Sequence, residues 1–206
     1  MPKRALVVLN GEPPSKPLLR HLCSDADLVV AADGGANVLH RYRLSPDVVI
    51  GDLDSIRPVT RKRFASAAFF HVPDQNSTDF EKALEFLKRI QIRDVVVAGA
   101  TGRRIDFTLG NFVSLWKYLP RLRPTLVGDG WEGMPVVRRL DLSPPVGTTV
   151  SLIPFSRCTG VTLRGFRYPL RGATLSYGSL AVSNMSESRR CSISLRSGKL
   201  LAIVLR

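Results

Sequence analysis

Four aspartates in this chain have the spacing needed to hold a divalent cation. Asp33 and the pair Asp52 and Asp54 directly follow short apolar runs, and Asp79 ends a polar segment. In an extended segment alternate side chains point the same way, which would place Asp52 and Asp54 side by side. Converging carboxylates repel each other, and Mg²⁺, commonly held by one or two carboxylates plus substrate phosphates, removes that repulsion. The alternatives are solvated loop acids for the pair and a helix-dipole partner for Asp79.

Two glycine-containing segments could bind an anion. Gly34 and Gly35 open a helix directly after an apolar run, so their backbone N–H groups could face a phosphate. Gly99 and Gly102 have the same placement on either side of Thr101. A tight turn explains such glycines equally well. Neither segment matches GxGxxG with a downstream acid or GxxxxGK[ST], so a Rossmann dinucleotide site and a Walker A loop are not supported.

The remaining chemistry-bearing residues favour phosphoryl transfer over covalent catalysis. Arg104 beside Asp106 is either a surface ion pair or a phosphate clamp next to a metal-linked carboxylate. Gln75 is either a turn residue or an amide offered to a polar heterocycle. None of the three histidines has an obvious Ser or Cys partner in the sequence, and GxSxG does not occur. Metal-assisted phosphoryl chemistry therefore gains over a nucleophilic triad.

The elements that must position these residues alternate between strands and helices up to about residue 128. A periodic helix is predicted over 78–90, with Thr78 and Glu81 as a capping box, and a second helix over 106–118. This alternation predicts an α/β domain with an open, mainly parallel sheet and helices on both faces. Ligands bind such sheets at the carboxyl ends of the strands. Four polar segments fall at or just after such ends: 33–37, 51–55, 73–79 and 99–106. The predicted strands are Ala5–Leu9, Leu28–Ala32, Val48–Ile50 and Val95–Ala98.

The last seventy or so residues have a different sequence pattern, in which glycines separate short β-type runs. They predict a small all-β sandwich over 134–206, after an α/β domain over 1–133 and a linker near 127–134. The dipeptide Ser197-Gly198 lies between two of these runs and predicts a hairpin. The β-type runs are Thr149–Phe155, Val161–Leu163, Cys191–Leu195 and Leu200–Leu205.

The net charge of +13, from 30 basic and 17 acidic residues, at first suggests nucleic-acid binding. Residues 21–110 hold 12 acids and 12 bases, whereas residues 111–206 hold 4 acids and 14 bases. Aromatic residues are 7% and do not interleave with the bases, so a nucleic-acid partner is not expected. Three distant cysteines and an N-terminal apolar run of five residues predict a soluble cytoplasmic protein with no membrane partner.

Several ordered motifs resemble the thiamine pyrophosphokinase family. They are ADGGAN (32–37), PDVVIGDLDS (46–55), PDQNSTDFEKAL (73–84), GATGRRIDFTLGN (99–111), SLIPFS (151–156), GVTLRGFRYPL (160–170) and SLAVSN (179–184). They span nearly the whole chain in the family's order. The resemblance implies transfer of a pyrophosphoryl group from the co-substrate ATP to the hydroxyl of thiamine, giving thiamine diphosphate and AMP, with Mg²⁺ as cofactor. It also implies a homodimer with the thiamine site at the subunit interface.

The resemblance also implies roles for individual residues. Asp52, Asp54 and Asp79 look like the Mg²⁺ and polyphosphate cluster, with Asp33 as a further acid. Arg104 and Asp106 look like a phosphate clamp and its neighbouring acid, and Asn111 like a nucleotide contact. Gln75, Ser183 and Asn184 look like thiamine contacts, the last two offered across the dimer.

This chain departs from the family pattern at two positions. Arg103 stands where the family usually has Gly, and Phe107 where it usually has His. Arg103 would either crowd the phosphate loop or add a cation to it. Two alternative functions stay open at this point: a pyrophosphokinase for another heterocyclic alcohol, and a non-catalytic thiamine- or nucleotide-binding protein.

Overall fold

The chain divides at Asp129 and Gly130 into two units, Met1–Asp129 and Gly130–Arg206, each with its own core. The structure is a computed structural model that describes residues 3–119 and 121–206. The sequence placed the boundary four residues later. The segment 127–134, predicted as a linker, holds the end of one strand, a turn at Asp129 and Gly130, and the start of the next strand.

The first unit is an α/β domain built on a parallel sheet. Its elements are β1 Arg4–Val8, α1 Lys16–Asp25, β2 Leu28–Ala32, α2 Gly35–Tyr42, β3 Val48–Gly51, α3 Pro58–Arg63, β4 Ala68–His71, α4 Asp79–Arg89, β5 Asp94–Ala98, α5 Ile105–Tyr118 and β6 Arg123–Gly128. The strand order is β6-β5-β1-β2-β3-β4, with every pairing parallel. The chain reverses its direction of travel across the sheet between β1 and β5. Such a switch point opens a crevice at the carboxyl ends of the strands.

Both faces of this sheet are covered by helices. Leu6 and Val8 of β1 face one apolar cluster, which also holds Leu19 of α1 and Leu39 of α2. Right-handed crossovers then place α4 and α5 on the opposite face, because the chain returns across the sheet after β4. The predicted open, mainly parallel sheet with helices on both faces is confirmed.

A capping box fixes the start of helix α4 at Asp79. The Thr78 hydroxyl accepts a hydrogen bond from the Glu81 backbone N–H, and the Glu81 carboxylate accepts one from the Thr78 backbone N–H, each at 3.3 Å. The predicted capping box is therefore confirmed. The helix buries Phe80, Leu84 and Leu87, which fixes the position of its first turn.

The second unit is a β-sandwich. Its strands are β7 Trp131–Val136, β8 Arg139–Leu142, β9 Thr149–Pro154, β10 Cys158–Arg164, β11 Ala173–Leu175, β12 Asn184–Met185, β13 Cys191–Ser194 and β14 Leu200–Leu205. Antiparallel pairings give one sheet in the order β12-β9-β14-β7 and another in the order β11-β10-β13-β8. Residues from both sheets, such as Leu152, Val161, Ile193 and Leu200, share one buried cluster. The predicted all-β second domain is confirmed.

The predicted hairpin at Ser197-Gly198 is wrong, because the strands on either side of it belong to different sheets. Strand β13 pairs with β10 and β8, whereas β14 pairs with β7 and β9. Ser197 instead forms a bridge with Thr159, and a side chain at Gly198 would meet Cys158 Cα at 2.6 Å. The turn therefore packs on β10 and carries the chain from one sheet to the other. A dipeptide turn signal does not specify which strands pair.

None of the helices formed by the described residues has the length and hydrophobicity of a transmembrane segment.

Candidate active site

A cavity of about 350 Å³ lies at the carboxyl ends of the parallel strands in the first unit. It is lined by the loops after β1, β2 and β5 and by the first turns of α4 and α5. The lining residues include Asn10, Gly11, Asp33, Gly34, Thr78, Asp79, Gly99, Gly102, Arg103, Arg104, Phe107 and Asn111. The strand-end position inferred from the sequence therefore coincides with a cavity.

Three carboxylates converge beside this cavity. One oxygen from each of Asp33, Asp52 and Asp54 lies within 4.8 Å of the other two. Asp33 is buried, and its Oδ1 has no hydrogen-bond partner among the described residues. Burial, together with the charges of Asp79 and Asp52, raises the pKa of Asp33 above its ordinary value. An all-oxygen donor set with an unpartnered buried carboxylate oxygen fits a hard cation such as Mg²⁺.

Asp52 and Asp54 meet for a different reason from the one predicted. The residue between them, Leu53, has a left-handed backbone with φ 65°, so the segment turns and is not extended. The Asp54 backbone N–H contacts Asp52 Oδ1 at 3.4 Å. Burial opposes ionisation of Asp52, but the Asp54 N–H, the Lys82 charge and the Gln75 side chain together lower its pKa. Asp52 therefore stays ionised.

Asp79 lies next to this group and carries its own counter-ion. Lys82 Nζ lies 3.0 Å from Asp79 Oδ1, and the Lys82 side chain is only 3% exposed. A side chain at Gly51 would lie 2.9 Å from Asp79 Oδ1 and 2.8 Å from Asp33 Cβ. The last residue of β3 must therefore be glycine for the two carboxylates to come this close.

The glycines predicted to bind an anion have different roles in the structure. Gly34 lines the cavity, and the Asn10 side chain packs against it. A Cβ at Gly35 would lie 2.0 Å from the Val8 carbonyl oxygen, so Gly35 lets α2 pack closely on β1. In the loop after β5, Gly99 and Gly102 line the cavity.

The loop after β5 is tied to the loop after β1. The carbonyl of Gly99 accepts the Gly11 N–H at 3.0 Å, and the carbonyl of Thr101 accepts the Glu12 N–H at 2.7 Å. From the other side, buried Asn111 donates from Nδ2 to the Ala100 carbonyl at 2.8 Å. These bonds hold the glycine-rich loop in place as one wall of the cavity.

Comparison with known proteins shows the family of this chain. A family model described as "Thiamin pyrophosphokinase, catalytic domain" matches residues 19–125, and one described as "Thiamin pyrophosphokinase, vitamin B1 binding domain" matches residues 138–200. A curated relative, thiamine pyrophosphokinase 1 of Oryza sativa subsp. japonica, is 30% identical over 98% of this chain and 87% of its own length. The chain belongs to the thiamin pyrophosphokinase family.

Further relatives in this family agree with the assignment. Thiamine pyrophosphokinase of Bacillus subtilis (strain 168) is 28% identical over 96% of each chain. Among solved structures, thiamin pyrophosphokinase from Geobacillus thermodenitrificans has a TM-score of 0.85 at 26% identity, covering 98% of this chain and 97% of its own. The structure of the Bacillus subtilis protein has a TM-score of 0.88 at 24% identity, covering 98% and 99%, and supports the fold.

Two arginines that are adjacent in this family member have different surroundings. Arg104 binds Asp106 through two hydrogen bonds, one of them from Nε at 3.1 Å, and its guanidinium lies 4.4 Å from the centre of the Phe107 ring. Arg103 donates from Nη1 to Asn10 Oδ1 at 3.2 Å. Phe107, one of the two departures from the family pattern, therefore packs against the guanidinium of Arg104.

The three residues that the family resemblance linked to thiamine lie in two different units. Gln75 lies in the exposed loop after β4, where its Nε2 donates to the Pro73 carbonyl at 3.3 Å. Ser183 and Asn184 lie in the sandwich. Ser183 is exposed and has φ 60°. Asn184 is buried, and its side-chain amide bridges the backbone N–H and C=O of Tyr168 at 3.1 and 2.8 Å. Asn184 therefore fixes the local backbone.

The sequence reasoning missed Asn10, Gly11 and Lys82. Asn10 and Gly11 follow the first apolar run, so the strand-end rule that located the aspartates would also have found them. Lys82 lies three residues after Asp79, a spacing that places two side chains on the same helical face. Local spacing therefore indicates all three residues.

Proposed function

We propose that this chain transfers the pyrophosphoryl group of ATP to the hydroxyl of thiamine, giving thiamine diphosphate and AMP. The observation that carries the proposal is the convergence of Asp33, Asp52 and Asp54 beside a cavity whose lining includes a glycine-rich loop with two arginines. Such a cavity suits a polyphosphate that brings its own cation. Membership of the thiamin pyrophosphokinase family supports thiamine as the acceptor.

The carboxylates of Asp33, Asp52, Asp54 and Asp79 would hold Mg²⁺. The unpartnered buried oxygen of Asp33 and the separations of less than 4.8 Å among Asp33, Asp52 and Asp54 fit that ion. When bound, Mg²⁺ neutralises charge on the polyphosphate and on the leaving group.

The chain's own residues position and neutralise the reactants. The thiamine hydroxyl oxygen attacks the β-phosphorus, the bond from that phosphorus to the oxygen bridging it to the α-phosphate breaks, and AMP leaves. A carboxylate of the acidic group, Asp54 or Asp79, accepts the hydroxyl proton, and Lys82 balances the charge of Asp79. Gly34, Gly102 and Arg104 bind phosphate oxygens, Asp106 orients Arg104, and Asn111 holds the loop in register.

Thiamine binding is proposed to need two copies of the chain, with Gln75 on one and Ser183 on the other. Asn184, whose side-chain amide binds the Tyr168 backbone, would hold the segment that carries Ser183. Two exposed apolar surfaces support a homodimer. On α5, Ile105, Leu109 and Val113 recur every four residues and are 58–73% exposed. In the sandwich, Tyr177 and Leu180 are 93% and 75% exposed.

Sedimentation is expected to show a dimer, and Leu109→Glu should shift the protein toward monomer. A monomeric wild-type protein that still turns over would contradict this arrangement.

The reaction is tested by incubating the protein with thiamine, ATP and Mg²⁺ and measuring products by chromatography. Thiamine diphosphate and AMP should form in equal amounts. ADP would instead indicate single-phosphate transfer, and turnover of another heterocyclic alcohol in preference to thiamine would change the acceptor. Binding of ligands without turnover would indicate a sensor.

Variants Asp52→Ala and Asp54→Ala should abolish AMP release. Asp141→Ala, which removes an exposed acid of the sandwich, should not.

We also propose a cytoplasmic location, which the three free cysteines support.

A further inference from the structure

Arg103 combines an unfavourable backbone with a position in the cavity wall. It lies between β5 and α5 with φ 54°, in the left-handed region that non-glycine residues seldom occupy. Its immediate neighbour Gly102 has φ 81°, where glycine meets the need without strain. A non-glycine residue held in this conformation at a site is a reason to look for a function of its side chain.

The charge of Arg103 is not compensated by a carboxylate. Arg103 and Arg104 are the two arginines that line the cavity. The charge of Arg104 is balanced by Asp106, which binds it directly. Arg103 contacts the neutral amide oxygen of Asn10, and no carboxylate of the described chain lies within ion-pairing distance of its guanidinium. Four of its five N–H donors stay available for a ligand.

The acids in the cavity lining define which anion Arg103 can receive. Asp33 and Asp79 line the same cavity, so they would repel a bare anion. A polyphosphate with a bound divalent cation places its cation toward the acids and leaves further phosphate oxygens for the arginine. A nucleoside monophosphate lacks those further oxygens.

We propose that Arg103 is a specificity-determining residue, which binds the polyphosphate of a nucleoside triphosphate and sets the preference of the cavity for triphosphate over monophosphate. The structure thereby favours an added cation over crowding of the loop, since the side chain of Arg103 lies along the cavity wall against Asn10. The proposal rests on the proposed function, in which ATP enters and AMP leaves. The product AMP lacks the phosphate groups that Arg103 is proposed to bind.

The test measures the Kd of ATP with Mg²⁺ and of AMP by calorimetry for the wild type and three variants. Arg103→Ala removes the guanidinium, and Arg103→Lys keeps a charge at the same backbone position. Arg43→Ala is the matched control, because Arg43 is also an exposed arginine with a left-handed backbone, φ 60°, but ends helix α2 away from the cavity.

Arg103→Ala should raise the Kd of ATP about tenfold, as expected for loss of a charge-assisted hydrogen bond, and leave the Kd of AMP within about twofold. Arg103→Lys should restore most of the ATP affinity, and Arg43→Ala should match the wild type. In turnover assays Arg103→Ala should raise KM for ATP with little change in kcat. Unchanged ATP affinity in Arg103→Ala, or equal weakening of ATP and AMP, would overturn the proposal.

The outcomes also separate this proposal from the proposed reaction. ATP binding that depends on Arg103 in a protein that forms no thiamine diphosphate would refute the reaction and support the role of Arg103. Formation of thiamine diphosphate with wild-type ATP affinity in Arg103→Ala would support the reaction and refute the role of Arg103.

Discussion

Replacing Asp33 by asparagine should stabilise the metal-free protein and at the same time remove its response to Mg²⁺. Asp33 is 4% exposed, and its Oδ1 has no hydrogen-bond partner among the described residues. A buried polar atom left without a partner costs about 1–3 kcal/mol. Asparagine still buries polar atoms but no charge, so we expect a gain of about 1 kcal/mol. For a chain of this size that gain corresponds to a rise in Tm of about 2–4 °C.

The sign of the pH dependence follows from the raised pKa of Asp33, for which burial is the largest cause. The folded protein keeps this proton to higher pH than the unfolded chain does. The resulting stabilisation is fully present below the unfolded pKa and is lost as pH rises through the folded pKa. Above that pH, the metal-free wild type should therefore lose stability relative to Asp33→Asn.

The assay is thermal unfolding in EDTA and in saturating Mg²⁺. A ligand present at one hundred times its Kd stabilises the wild type by about 2.7 kcal/mol, and Asp33→Asn should lose most of that gain. Asp94→Asn, which removes an exposed acid paired with Arg123, should keep the full Mg²⁺ response. A variant Asp33→Asn that is less stable than the wild type in EDTA, or that responds fully to Mg²⁺, would refute the reasoning.

Three further substitutions test the framework of the site. Lys82→Met should destabilise the protein by about 2 kcal/mol in urea unfolding, because it leaves the carboxylate of Asp79 without its counter-ion. Thr78→Ala should cost about 1 kcal/mol through loss of the cap of α4, measured in the same way. Gly35→Ala should lower the yield of folded protein, since its Cβ would lie 2.0 Å from a carbonyl oxygen of β1. Gly110→Ala is the matched control, with open space around the new Cβ, and should stabilise α5 by about 1 kcal/mol.

The position of the site could be predicted because it follows from local rules. Helix α4 begins one residue after its predicted start at Thr78, since a capping box is written in adjacent residues. The strand before Asp33 was predicted with its bounds correct, because a buried parallel strand is a continuous apolar run. Once strands and helices alternate, the carboxyl ends of the strands must share one edge of the sheet. This topology therefore brings the acids at those ends close to one another.

What could not be predicted depends on contacts between distant segments. The difference between Arg103 and Arg104 depends on the contact of Arg103 with Asn10, more than ninety residues away. The role of Asn184 was hidden for the same reason. Its side chain is occupied by a backbone segment sixteen residues earlier, which no spacing rule indicates.

The distribution of backbone strain connects the stability of this fold with its site. Two of the non-glycine residues with positive φ, Arg43 and Gln91, follow helices α2 and α4, where a left-handed residue commonly ends a helix. Three others, Asp33, Leu53 and Arg103, follow β2, β3 and β5. Asp33 and Arg103 line the cavity, and Leu53 lies between Asp52 and Asp54. Each costs about 1–2 kcal/mol, which the packing of the largely buried strands beside them must offset. In return, these turns place the three carboxylates of Asp33, Asp52 and Asp54 and the guanidinium of Arg103 at or beside the cavity. Arg103→Gly should therefore raise the stability measured by thermal unfolding while weakening the binding of a charged ligand.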